Sequence, residues 1–230
     1  MLRNDIYNDE YSIGVVAGTA TDTRFGLDFL AARQVAGLGI SLSASPQAQT
    51  QLQALERGAL TQKLIDAIES LQQQGAAAAM IYCNSLSGAV DLDTVRSTVA
   101  IPVVSPLDVY AELTQRYRNF GLLAANCQSC ANIEREILLR NRSAKVIGIG
   151  NLQIVEDIED GVSPAELVQQ HALDDLAAAL VKSGVQILIL GCTHFDYFYS
   201  ELLKHCDGIK LFLPSERMLA LLKAQALEAA

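Results

Sequence analysis

The chain has 230 residues, half of them hydrophobic and 19% charged, which is enough apolar material to core one large domain or two small lobes and argues against any long disordered part. A formal net charge of -9 speaks against nonspecific nucleic-acid binding, because phosphates demand a basic surface. The longest apolar runs, such as Val185 to Leu190 with Gln186 inside it, are strand-sized and too short for a bilayer. Met1-Leu2-Arg3-Asn4-Asp5 lacks an apolar signal core. A cytoplasmic protein with no membrane partner is the expectation. Five cysteines, an odd number with no export signal, fit reduced thiols better than a disulfide framework.

Along the chain, apolar runs alternate with helical patterns, as in βαβ units around a mainly parallel sheet. Strands are expected at Ser12 to Ala17, Ile40 to Ser43, Ala76 to Tyr82, Ile101 to Val104, Gly121 to Ala125, Val146 to Ile149 and Val185 to Leu190. A helix should start at Ser45-Pro46, an N-cap followed by proline in the first turn. It carries Leu52, Leu55, Leu60, Leu64, Ile68 and Leu71 at mostly helical spacing and stops before Gly75. Another should start at Ser163-Pro164, where Glu166 completes a capping-box pattern, and end at Gly184.

These two helices share their punctuation, and the likeness extends outward. Ile13-Gly14-Val15-Val16-Ala17-Gly18-Thr19 parallels Phe120-Gly121-Leu122-Leu123-Ala124-Ala125-Asn126, and Ile81-Tyr82-Cys83-Asn84 parallels Leu190-Gly191-Cys192-Thr193 at a nearly equal offset. Two anchor pairs at matching offsets point to an internal duplication. The expected fold is α/β, with two similar parallel-sheet lobes related by pseudo-twofold symmetry. The first lobe is residues 1–105 with 214–230, and the second is 106–213. Ligands of such sheets lie beyond the carboxyl ends of the strands. Cys83 and Cys192 both stand there, so the active site is expected in the cleft between the lobes, with one thiol on each side.

Moving a proton off an α-carbon and returning one to the other face takes two acid/base groups, one deprotonated while its partner holds a proton. Cysteine, with a reference pKa of ~8.5, suits that task near neutral pH. Donors are also needed where charge builds on the substrate carboxylate. Asn84 and Ser85 follow the first cysteine and Thr193 follows the second.

Tyr82-Cys83-Asn84-Ser85 and Gly191-Cys192-Thr193-His194 resemble the two signatures of the aspartate/glutamate racemase superfamily, and the resemblance extends over nearly the whole chain. It implies a cofactor-independent, pyridoxal-free racemase that interconverts L- and D-enantiomers of an acidic amino acid, aspartate and/or glutamate, and works as a homodimer. It further implies that Cys83 takes the proton from the D-enantiomer and Cys192 from the L-enantiomer, with His194 supporting Cys192. Asn84, Ser85 and Thr193 would hold the α-amino and α-carboxylate groups. Thr19 and Asn126, equivalent in the repeat, join them as expected substrate contacts.

The motifs also depart from the superfamily pattern. Ala17-Gly18-Thr19 stands where an Asp-Ser-Gly string would be expected, with Asp22 a few residues on. Asn126, Gln128 and Ser129 replace a Gly-Thr-x-x-Thr-like loop, and Asp196 stands where proline is common. These differences favour a broad aspartate/glutamate racemase over a dedicated cell-wall enzyme. The alternatives are a hydantoin racemase or related isomerase, a decarboxylase of the same superfamily (disfavoured by the presence of Cys83), and a non-catalytic small-molecule binder.

Other polar residues read more plainly. Cys127-Gln128-Ser129-Cys130 has no second pair at zinc spacing, so no metal is expected. Its place in the middle of an α/β array disfavours a thioredoxin-like role, and Cys206 is expected to be inert. His171 and His205 are expected at the surface or in packing, and Arg24 is expected to be exposed. The stretch from Ser12 to Gly18 has too few glycines for a dinucleotide fingerprint, and no Walker lysine is present.

Overall fold

The computed structural model describes residues 12–53 and 56–228. The Met1 to Asp5 segment and Leu55 lie outside the described residues. Contacts divide the chain into two compact units, one holding the chain up to Ser105 and again from Arg217, the other Pro106–Glu216.

The first unit runs β1 (Ser12–Ala17), α1 (Ala20–Ala31), β2 (Ala36–Ser41), α2 (Pro46–Leu52), α3 (Arg57–Gln73), β3 (Ala76–Tyr82), α4 (Asn84–Ala89), α5 (Leu92–Thr98) and β4 (Val103–Val104). Its sheet is all parallel, in the order β2-β1-β3-β4. The central strands β1 and β3 are buried almost throughout. That is why they read as continuous apolar runs, as strands covered on both faces must. Leu60, Leu64, Ile65, Ile68 and Leu71 of α3 pack with Val16, Ala79 and Ile81 of the sheet. Each such side chain contributes ~1.5–3 kcal/mol by leaving water.

The second unit repeats the plan: α6 (Pro106–Leu113), β5 (Asn119–Ala124), α7 (Cys127–Arg140), β6 (Lys145–Gly150), α8 (Leu152–Glu159), α9 (Pro164–Gln170), α10 (Leu173–Lys182), β7 (Ile187–Gly191), a 3₁₀ turn (Thr193–Phe198), α11 (Tyr199–Leu203) and β8 (Lys210–Phe212). Its order, β6-β5-β7-β8, is again all parallel. The final helix α12 (Ser215–Glu228) begins here and contains the point, Arg217, at which the chain rejoins the first unit. In each unit the third strand is entered through a glycine with positive φ, Gly75 at 103° and Gly184 at 80°, a backbone state that Cβ-bearing residues avoid.

The architecture is the expected two-part α/β fold, with local corrections. The helix from Ser45 is two helices, α2 and α3; Ser45 does cap it, accepting from the Ala48 N–H. The helix from Ser163 also divides. Its capping box with Glu166 is formed, but Ala172 adopts a left-handed conformation (φ 47°) between α9 and α10. At that break His171 turns inward, the packing alternative of the two expected for it. Its Nε2 lies 2.8 Å from Asp157 Oδ2, its Nδ1 lies 3.5 Å from Asn151 Nδ2, and its side chain is 8% exposed. The Gln153 amide, donating at 2.8 Å, holds the Asp157 carboxyl below its ordinary range against the opposing effect of burial, and His171 adds to the lowering. His205, 43% exposed, is a surface residue. The strand expected from Ile40 starts at Ala36, and β8 was not foreseen.

Cys127 and Cys130 open α7, capped by Asn126. Cys127 is exposed and Cys130 buried. Burial, above all, pushes the Cys130 thiol up to about 11 and the Cys206 thiol likewise. Among the described residues no cluster of three His, Cys, Asp or Glu could hold a metal ion, and no helix is long and apolar enough to cross a membrane.

Two stability outcomes follow. A Cβ at Gly150, the end of β6, would press on the backbone of Asn126 and Cys127, lying 2.8 Å from Asn126 Cα. Backbone cannot move aside as a side chain can, so Gly150→Ala should cost about 1–3 kcal/mol in denaturant unfolding; an unchanged midpoint would contradict this packing. Asp157, with its folded pKa depressed, contributes stability above the unfolded carboxylate value of ~3.9 and loses it as pH falls through the lower folded value. The stability gap between the native chain and Asp157→Asn should therefore be full at neutral pH and close in acid, and a gap independent of pH would count against it.

Candidate active site

The register of the sheets decides where the cysteines sit. In the first unit Ala17 pairs with Tyr82, the residue before Cys83. In the second, Ala124 pairs with Gly191, the residue before Cys192. Each cysteine is thus the first residue past the third strand of its unit, at the carboxyl edge where open parallel sheets bind ligands. Thr19 and Asn126 leave the neighbouring strand at the same edge. Each cysteine is also the N-cap of the helical segment that follows, in extended conformation, and neither uses its side chain for capping.

In the first unit Cys83 is buried, with its Sγ 3.2 Å from Ser85 Oγ. Gln49, from α2, brings its Nε2 to 3.8 Å from the sulfur and 3.4 Å from the serine hydroxyl. The single Ser43 hydroxyl proton is shared between two acceptors, the Gly18 carbonyl at 2.6 Å and Gln49 Oε1 at 3.0 Å. Asn84 begins α4 and is buried. Asp22, in the first turn of α1, accepts from the Gly18 N–H at 3.5 Å.

The second unit answers with ionisable partners. Cys192 Sγ lies 3.7 Å from His194 Nδ1, and His194 Nε2 lies 3.0 Å from Glu159 Oε1. Imidazole and carboxylate are largely shielded, at 5% and 19% exposure. A thiol, an imidazole and a carboxylate in line form a chain in which the ring can take or return the thiol proton while the carboxylate fixes its orientation. The 3₁₀ turn that carries His194 is anchored by buried Phe195 and Phe198, their ring centroids 5.1 Å apart. It is tied further by Ser215 Oγ donating to Asp196 at 2.9 Å. Asp196 is thus a structural tie at the position where the resemblance would place proline.

The structure gathers Cys83, Asn84 and Ser85 at one carboxyl edge with Thr19, and Cys192, Thr193 and His194 at the other with Asn126. Thr19 and Asn126 also cap α1 and α7, accepting from the N–H groups of Asp22 at 3.2 Å and Ser129 at 2.8 Å. Two participants had no signal in the sequence. Gln49 meets Cys83 across 34 residues and Glu159 meets His194 across 35, and no local spacing marks either contact.

Comparison with known proteins gives a consistent picture. The family model described as Asp/Glu/Hydantoin racemase matches residues 13–219. Glutamate racemase of Shewanella woodyi is 29% identical over 167 residues, covering 69% of this chain and 62% of the relative. The chain spans between 56% and 62% of the length of this and two further glutamate racemases. Among solved structures, glutamate racemase from Francisella tularensis in complex with D-glutamate superposes with a TM-score of 0.71 at 21% identity, covering 96% of this chain and 83% of that one. An aspartate racemase homologue from Pyrococcus horikoshii does so at 0.66 and 18% identity, covering 94% and 98%. At those identities the structures speak to the fold, and it is the same α/β fold. With nearly all of its length inside the family match, the chain belongs to the Asp/Glu/Hydantoin racemase family.

Proposed function

We propose that this chain is a cofactor-independent racemase of an acidic amino acid, aspartate and/or glutamate, acting through Cys83 and Cys192. The observation that carries the reading is the equivalence of the two thiols. Each is the first residue past the third strand of a unit with the same strand order, in a chain of racemase family. One thiolate takes the α-proton from one face of Cα while the other thiol gives a proton to the opposite face. The product leaves the two thiols in exchanged protonation states, and proton exchange with solvent restores them. Carboxylate charge grows as the carbanion forms; Asn84, Ser85 and Thr193 are assigned to hold the α-carboxylate and α-amino groups, and Thr19 and Asn126 are further substrate contacts.

The same proposal takes residues 1–105 with 214–230, and residues 106–213, as the two halves that supply one thiol each. It includes a homodimer in the cytoplasm. Cys192 serves the L-enantiomer with His194 and Glu159 behind it, and Cys83 serves the D-enantiomer.

Purified protein incubated with L-aspartate, L-glutamate and a set of 5-substituted hydantoins, followed by chiral chromatography, tests the reading. Inversion of an acidic amino acid is expected, and Cys83→Ser or Cys192→Ser should lower it by about 10²–10⁴-fold, the range for losing an acid/base group. Inversion of hydantoins alone would move the substrate assignment, and inversion of nothing would defeat the proposal. Glu159→Gln keeps the shape beside His194 but removes the charge. It should slow conversion starting from the L-enantiomer by about 10²-fold, whereas an unchanged rate would leave Glu159 no part in the reaction.

A further inference from the structure

The two thiols have chemically different company, and on the Cys83 side that company includes an amide beside the Ser85 hydroxyl. Gln49 is 6% exposed, unusual for a glutamine without a structural or functional task. Its Nε2 faces the Cys83 sulfur and the Ser85 hydroxyl, while its Oε1 faces Ser43. The Ser43 hydroxyl in turn rests on the Gly18 carbonyl at the end of β1. Gly18 lacks the side chain that would collide with this arrangement. A Cβ there would lie 3.0 Å from Gln49 Cγ, 3.1 Å from Cδ and 3.2 Å from Oε1. The amide thus lies directly over residue 18, in the loop between β1 and α1.

We propose that Gln49 is the positioning residue of Cys83, aimed by Ser43 and seated on Gly18, and that it holds the sulfur by donating its amide N–H. An amide donates but does not accept the thiol proton near neutral pH, so it favours the thiolate by hydrogen bonding alone. Cys192 differs, because His194 can itself carry the proton. The buried charged side chain of α1 is Asp22, whose carboxylate lies against the Gly18 N–H, while Arg24 and Asp28 of the same helix are exposed; Asp22 stays in place in every variant below and so is constant across the comparison. This inference rests on the proposed racemase reading for its consequence in turnover, but not for its effect on the thiol.

The test follows Cys83 itself. The rate of iodoacetamide labelling is measured against pH by peptide mass spectrometry, which separates Cys83 from the exposed Cys127. Gln49→Leu removes the donor and should shift the midpoint of Cys83 labelling upward by about 1 pH unit, the scale of one lost hydrogen bond to a charged group. Labelling of Cys192 should not shift. Ser43→Ala, which frees the amide to turn, should shift Cys83 the same way by less. Gly18→Ala, which pushes the amide aside, should shift it similarly and serves if Gln49→Leu does not fold. In the racemase assay Gln49→Leu should lower kcat from the D-enantiomer by about 10-fold, and Gln49→Asn should not restore it because the shorter side chain cannot span from Ser43 to the sulfur. Cys83 profiles unchanged in Gln49→Leu and Gly18→Ala would overturn the role of Gln49 even in an active racemase. A shifted profile in a protein that racemises nothing would instead defeat the proposed function and leave Gln49 as the partner of this thiol.

Discussion

Parallel pairing between the first and third strands of each unit is the constraint from which the rest follows. Ala17 against Tyr82, and Ala124 against Gly191, set where each third strand stops and therefore which residue first emerges at the carboxyl edge. A slip of one residue in either ladder would turn the strand's side chains to the opposite faces. It would also expose a neighbour in place of the cysteine. With both faces of β3 and β7 buried, the cost of such a slip is the misfit of exchanged side chains in two close-packed layers. The apolar core thereby determines the position of the two cysteines.

Repetition of the strand order gives two equivalent positions without giving two equivalent environments. Around Cys83 the partners described above are a serine hydroxyl and a glutamine amide. Around Cys192 they are an imidazole and, behind it, a carboxylate. Neutral partners can orient a sulfur and adjust its preference for charge, whereas an imidazole can also store a proton. Under the proposed function this difference separates the two proton transfers: Cys192 has an imidazole beside it that can hold the proton, and Cys83 has hydrogen bonding from Gln49 and Ser85. The repeated strand order supplies the pair, and Gln49 of α2, His194 of the 3₁₀ turn and Glu159 of α8 supply the distinction.

How much of this was legible in the sequence depends on the range of the interaction. Strands β1 and β3 read correctly to the residue because they are buried on both faces and bounded by turn residues. The edge strand β2, with two glycines and alternating exposure, began four residues earlier than its most apolar part suggested. The three-residue β8 is too short to carry a period at all. Periodicity also ran through the break at Ala172, because a single left-handed residue leaves the apolar spacing nearly intact on both sides. The two cysteines, His194 and their polar neighbours were visible as local strings. Gln49 and Glu159 were not, because each reaches its partner through the tertiary fold and sits in a helix where a polar residue usually means solvent.

The central claim is that two groups, one per face, exchange protons with the same α-carbon. Its most direct measurement is the isotope content of both enantiomers at low conversion in deuterated water. With two bases, the D-product formed from L-glutamate or L-aspartate should carry solvent deuterium at Cα from the first turnovers, while the remaining L-substrate stays largely protiated. Product that retains the substrate's own proton, as a single base serving both faces would give, would contradict the account.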